Sequence, residues 1–293
     1  MRPTAVPPEV NVKKCTGCKS CVKACPVFVL ELKDKKAFVA HGDFCIECGH
    51  CGAVCPEGAV VQKKTVVAQG LKAGKKPAVS PEVVMQLLRE RRSVRVYKDK
   101  PVPKDIIEKI INAGRYAPTG SNSQRVHYIV ITSPEKIKEL SGRVMEYNAK
   151  FFKNLGSKPF AAMMSVFLGS EKLAELLLYR PVIMHAKEVI DKGGDPMLHN
   201  APVILLAHAE KWDGSPAINC AVALDHCNLM AHTLGIGACY NGWVENTVNI
   251  SGKLKKWLGI PTDHKCFGAL TMGYQNIEYK HLIERNSPDV RWL

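Results

Sequence analysis

The sequence predicts an α+β protein, a small cysteine-rich domain followed by a larger domain of mixed helices and strands. Three observations predict it. Eight of the twelve cysteines fall before residue 60, in two runs of identical spacing. A basic, glycine-containing stretch then lacks any sustained period. Beyond it, helical and strand patterns mix without a regular βαβ alternation, which favours α+β over a doubly wound sheet. The boundaries follow as 1–62, a linker at 63–79, and 80–293. With 293 residues, 46% of them apolar, the chain has material for a sizeable core.

The two runs are "CTGCKSCVKACP" (Cys15 to Pro26) and "CIECGHCGAVCP" (Cys45 to Pro56). Short apolar segments follow each, "VFVLEL" and "AVVQKK", with "KAFVAHGD" between them. So short a unit buries little apolar surface and needs a staple. The spacing C-x2-C-x2-C-x3-C-P is the bacterial ferredoxin run for a [4Fe–4S] cluster. Three close cysteines wrap one face of a cubane, and the fourth points away to the other cluster. Two copies therefore predict reciprocal ligation: Cys15, Cys18, Cys21 and Cys55 for one cluster, Cys45, Cys48, Cys51 and Cys25 for the other. Zinc is the competing reading, since paired C-x2-C units also bind it, though here without histidine partners. Residues 10–62 closely resemble a two-cluster bacterial ferredoxin. That resemblance implies a low-potential, one-electron carrier.

This cysteine distribution is not that of a secreted disulfide scaffold. The opening "MRPTAVPPEVNVKK" lacks an apolar signal region, and "FAAMMSVFLG" is too short to span a bilayer. The expectation is a cytoplasmic protein with no membrane partner. The formal charge of +14 raises nucleic acid as a partner. Residues 63–104, however, hold 12 Lys+Arg against 3 Asp+Glu. The excess is concentrated in one stretch, so no nucleic-acid partner is expected.

Ser80-Pro81 reads as a helix start, and Val83, Val84, Leu87 and Leu88 recur at helical spacing to about Arg91. Ile106, Ile107, Ile110 and Ile111 mark a second helix, ending before Pro118. "HYIVIT" and "APVILLAHA" read as buried strands, and "SPEKIKELSGRVMEY" as a helix. Residues 150–200 read as helices and loops shaping a pocket. Pro216 to Gly235 is apolar all round, hence a buried helix. "GACYNGWV" and "CFGALTMGYQ" are the last strands expected, and the tail ends on an exposed Trp292-Leu293.

Arg91, Arg92, Ser93 and Arg95 crowd a helix end, where guanidiniums and a hydroxyl suit a phosphate. A solvated charge run at a helix C-terminus is the plainer reading. "YAPTGSNSQRVHYIVI" (Tyr116 to Ile131) then offers small and amide groups suited to a flat heterocycle, and "LGIGACYNGW" offers glycine-lined backbone. These three stretches, in this order, resemble the FMN-dependent nitroreductase family over residues 80–275. The whole chain resembles the ferredoxin–nitroreductase fusions of anaerobic bacteria and archaea.

The resemblance implies a homodimer with FMN at the interface. Arg91, Arg92, Ser93 and Arg95 would hold the phosphate and reach the pyrimidine edge. Pro118, Thr119, Gly120, Asn122 and Gln124 would lie along the isoalloxazine, given by the other subunit. Tyr240, Asn241 and Gly242 would face its reactive nitrogen, and Arg285 would be a second phosphate contact. Gln124-Arg125-Val126 stands where the family often has Gln-Pro-Trp, and Gly273-Tyr274-Gln275 where it often has Gly-Tyr-Pro. Cys220 and Cys227 read as core residues. His185, His199, His208, His226 and His232 read as structural or surface, and no catalytic acid is identified.

The reading is a flavin oxidoreductase with its own electron wire. NAD(P)H or reduced ferredoxin would be the donor. A nitroaromatic, quinone or activated alkene would be the small-molecule acceptor. The rival is a relay module that passes electrons to a protein partner without a substrate of its own.

Overall fold

The computed structural model describes residues 5–63, 74 and 79–293. Most of the expected linker lies outside these. The chain divides into two compact units: Met1–Val79 with Thr119–Gln124, and Ser80–Pro118 with Arg125–Leu293. Among the described residues no helix is long and apolar enough to cross a membrane.

In the first unit, β1 (Glu9–Val10) pairs antiparallel with β4 (Val60–Val61), tying the ends of the repeat together. Between them, β2 (Leu30–Lys33) and β3 (Lys36–Val39) form a hairpin. Its turn, Asp34-Lys35, has φ of 50° and 59°, the positive pair that matches strand twist in a two-residue hairpin. Two short helices, α1 (Ser20–Ala24) and α2 (His50–Ala53), carry the third cysteine of each run. The core is small: Val29, Leu30, Ala37, Ala59 and Val60, with Cys15 and Cys21.

The second unit is a sandwich of helices on both faces of a four-stranded antiparallel sheet. Its strands are β5 (His127–Ile131), β6 (Val203–Glu210), β7 (Ile236–Tyr240) and β8 (His264–Tyr274), in the order β5-β6-β8-β7. One layer holds α5 (Pro134–Leu155), α6 (Lys158–Leu168), α7 (Ser170–Asp191), α9 (Gly242–Ile250) and α10 (Gly252–Trp257). The other holds α4 (Lys104–Arg115) and α8 (Pro216–Thr233). Side chains of β6 alternate between them: Ile204 and Leu206 join the first layer, Val203, Leu205 and Ala207 the second. Both faces are covered, so "VILLA" reads as a continuous apolar run rather than an alternating one.

The expected helix after Ser80 is α3 (Pro81–Glu90), and the Ser80 side chain accepts from Val83 N–H at 3.3 Å. No residue of α3 is buried; Val83, Val84, Met85 and Leu88 all face out. One strand expectation needs correction. "GACYNGWV" is not a strand throughout, because Asn241 ends it. Its side chain accepts from Val244 N–H at 3.1 Å and starts α9, whose Val244, Thr247 and Val248 form a buried helical stripe.

At one end of the sheet lies a histidine cluster. His208 Nδ1 is 2.9 Å from His264 Nδ1, and His127 stacks on His208. Burial, then His264, His127 and Lys255, lowers the His208 pKa from 6.5 to about 4. An unfolded chain accepts this proton near 6.5 and the folded one resists it. Stability is therefore fully present above about 6.5 and is lost as pH falls towards 4. All four tryptophans lie in the second unit, so their fluorescence reports its unfolding. The urea midpoint of the wild type should fall between pH 6.5 and 4.5, and His208→Gln should flatten that slope.

Candidate redox sites

The eight N-terminal cysteines gather in two hollows. One is lined by Cys15, Cys18, Cys21 and Cys55, the other by Cys25, Cys45, Cys48 and Cys51. Two left-handed residues, Lys19 (φ 69°) and Gly49 (φ 74°), turn each run so that its helix begins after them. Gly17 (φ 74°) has a second reason to be glycine, since a Cβ there would lie 2.1 Å from the Lys35 carbonyl oxygen. Backbone amides point at sulfur: Val29 to Cys25 and Ala59 to Cys55, both 3.2 Å, and Ala37 to Cys15 and Glu47 to Cys45, both 3.4 Å. Burial raises the thiol pKa of Cys21 and Cys45, and pushes Cys51 up to about 11. Neighbouring cysteines add to each rise.

In the second unit, the arginine segment lies along the edge of β7. Ser93 bridges to Ala238, and Val94 N–H donates to the Ala238 carbonyl at 3.0 Å. Gly237 permits this approach, because a Cβ there would be 2.7 Å from Val94 Cβ. Tyr97 fixes the segment's far end. Its hydroxyl donates to the Val94 carbonyl at 2.6 Å and meets Thr271 Oγ1 at 3.0 Å. Arg91, Ser93 and Arg95 are thereby brought near Cys239. Burial raises the Cys239 thiol pKa, and those three residues oppose the rise.

Tyr240 is half exposed and Gly242 has open space beside it. The Asn241 side chain is committed inward, capping α9 and donating to the Met197 carbonyl at 2.7 Å. Pro118 ends the α4 connection in the second unit, whereas Thr119, Gly120, Asn122 and Gln124 group with the first. There Asn122 Nδ2 donates to the carbonyls of Ile46 and Glu47, at 3.3 and 3.0 Å. Gln124 N–H donates to Thr119 Oγ1 at 3.0 Å. Arg285 lies in the exposed, irregular tail.

His199 reads from the sequence as structural or surface. It has φ of 60°, and burial, then the charge of Arg95, lowers its pKa. Cys220 and Cys227 are fully buried, and burial pushes each thiol up to about 12, as core residues should be.

These residues fit the groups that the sequence implied. The Nε and Nη2 atoms of Arg92 are buried without a hydrogen-bond partner. Buried donors left so are costly, and an anion such as a phosphate would satisfy them. The cysteine hollows, with amides aimed at sulfur, suit iron–sulfur clusters.

Comparison with known proteins agrees with this. Residues 88–274 match the nitroreductase family, and residues 14–71 match the 4Fe-4S dicluster domain. A protein of Archaeoglobus fulgidus, assigned by name to the NADH dehydrogenase/NAD(P)H nitroreductases, is 25% identical over 210 residues. That alignment covers 71% of this chain and 95% of the relative. A ferredoxin of Methanocaldococcus jannaschii is 43% identical over 56 residues, 19% of this chain and 90% of its own length. A nitroreductase structure with bound FMN, from Desulfitobacterium hafniense, shares the fold. Its TM-score is 0.50 at 18% identity, over 71% of this chain and 97% of that one. With the family matched over well more than half its length, the chain belongs to the nitroreductase family of oxidoreductases, as a fusion in which a 4Fe-4S dicluster ferredoxin domain comes first.

Proposed function

We propose that this chain is an FMN-dependent oxidoreductase fed by two [4Fe–4S] clusters, and that it reduces a small organic acceptor such as a nitroaromatic, a quinone or an activated alkene. One observation carries the reading. Two hollows, each lined by four cysteines, precede a nitroreductase domain in which half-buried Arg92 keeps two guanidinium nitrogens, Nε and Nη2, buried without a partner. When bound, the clusters supply one-electron transfer and FMN supplies hydride-like pairs.

The chain's own residues then have separate tasks. Cys15, Cys18, Cys21 and Cys55 would hold one cluster, and Cys45, Cys48, Cys51 and Cys25 the other. Arg91, Arg92, Ser93 and Arg95 would bind the FMN phosphate, Arg92 by charge-assisted bonds from the orphaned nitrogens. Tyr240 to Gly242 would border the ring through backbone. The loop from Pro118 to Gln124 would approach the ring of a second copy, and Arg285 would make a further phosphate contact.

Two apolar surfaces support the homodimer. The face of α3 carries exposed Val83, Val84, Met85 and Leu88, and the tail exposes Leu282, Ile283, Val290 and Trp292. A patch of this kind marks an interaction surface. The reduced thiols and clusters favour a cytoplasmic setting, with NAD(P)H or reduced ferredoxin as the donor.

Three outcomes follow. Cys25→Ser and Cys55→Ser should each remove about half the bound iron and slow flavin reduction by reduced ferredoxin; unchanged iron in both would overturn the ligand sets. Arg92→Ala should weaken FMN binding about 10- to 100-fold by fluorescence titration, the worth of a charged hydrogen bond. The pair Val83→Glu with Leu88→Glu should shift the protein from dimer to monomer in analytical ultracentrifugation and cost it bound FMN.

A further inference from the structure

The two cysteine hollows repeat in sequence, but their surroundings differ. The amides of Val29 and Ala59 are a matched pair, each 3.2 Å from the fourth cysteine of its run. The first cysteines also match in part: Cys15 accepts from Ala37 N–H and Cys45 from Glu47 N–H, both at 3.4 Å. Cys45 then receives a second donor, and this one is a side chain. Gln62 Nε2 lies 3.5 Å from its sulfur.

Gln62 is held in place for this. It is 3% exposed, and the same nitrogen donates to the Val6 carbonyl at 2.9 Å. The Val6 N–H in turn donates to the Glu47 carboxylate at 2.8 Å, and Glu47 is also buried. The Val6 backbone is thus held through both its N–H and its carbonyl, and the Gln62 amide is kept beside the sulfur. In the first hollow the side-chain contact is Ser20 Oγ, 3.5 Å from the exposed Cys18 sulfur. Water competes for that contact, whereas a buried donor keeps its electrostatic strength.

We propose that Gln62 sets the potential of the cluster held by Cys45, Cys48, Cys51 and Cys25, placing it above the value that backbone amides alone would give. This rests on the two-cluster reading above. Reduction adds one electron and one negative charge to the cluster, with no bond to Gln62 made or broken. An N–H donor to a coordinating sulfur stabilises the more negative, reduced form and so raises the potential. Gln62 acts through Cys45 and is a positioning residue. It makes the two clusters inequivalent although their cysteine spacing is the same.

The test is a potentiometric titration followed by EPR on the anaerobic full chain. Wild type should show two one-electron transitions. Gln62→Leu should lower one of them by up to about tenfold in its reduction equilibrium, which is 59 mV for a single electron, and leave the other in place. Ser20→Ala, at a contact that water can replace, should leave both transitions close to their wild-type values. Gln62→Glu keeps the shape but replaces the donor with a carboxylate, so it should lower the same transition at least as far; it decides the matter if Leu costs the cluster. Two clusters whose potentials stay put in both Gln62 variants, or move together, would overturn the proposal alone. A wild type whose two clusters titrate as one would also overturn the proposal alone, whereas iron content and integrated EPR spin that account for one cluster would overturn the two-cluster reading and this assignment with it.

Discussion

The N-terminal unit depends on what eight crowded thiols can bind. Burial, and after it the neighbouring cysteines, disfavours thiolate at Cys21, Cys45 and Cys51. Two of the seven core residues are themselves cysteines. A unit with so small a core would gain stability from a metal that makes thiolates favourable, which would couple cluster binding to folding. The left-handed turns at Lys19 and Gly49 start the helices that carry Cys21 and Cys51, and the amides of Val29 and Ala59 aim at sulfur.

The C-terminal unit works by a different constraint. Strand β6 is buried on both faces, and β8 and β7 extend the sheet from it. The edge of β7 is where the arginine segment can lie, and only because Gly237 lets Val94 approach. Tyr97, bonded to Val94 and Thr271, keeps that segment from peeling away. The sheet thus presents guanidiniums whose charge a bound phosphate would balance, and Arg92 is the clearest sign of it.

Much of this was legible in the sequence because it is local. Cysteine spacing, the Ser80 start of α3 and the apolar run of β6 are patterns of neighbours along the chain. What was not legible depends on distant residues meeting. Helix α9 hides behind a strand-like run because one side chain, Asn241, caps it. His127, His208 and His264 meet only through sheet register. Gln62 looks like the polar end of a short apolar strand until the fold brings Val6 and Cys45 to it.

The central claim is that electrons reach the flavin singly through the clusters. The most direct measurement is anaerobic stopped-flow reduction by reduced ferredoxin, with cluster and flavin absorbances followed separately. The account predicts that the cluster signal bleaches first and recovers as the flavin is reduced. Flavin that cycles at full rate while the clusters stay oxidised would contradict it.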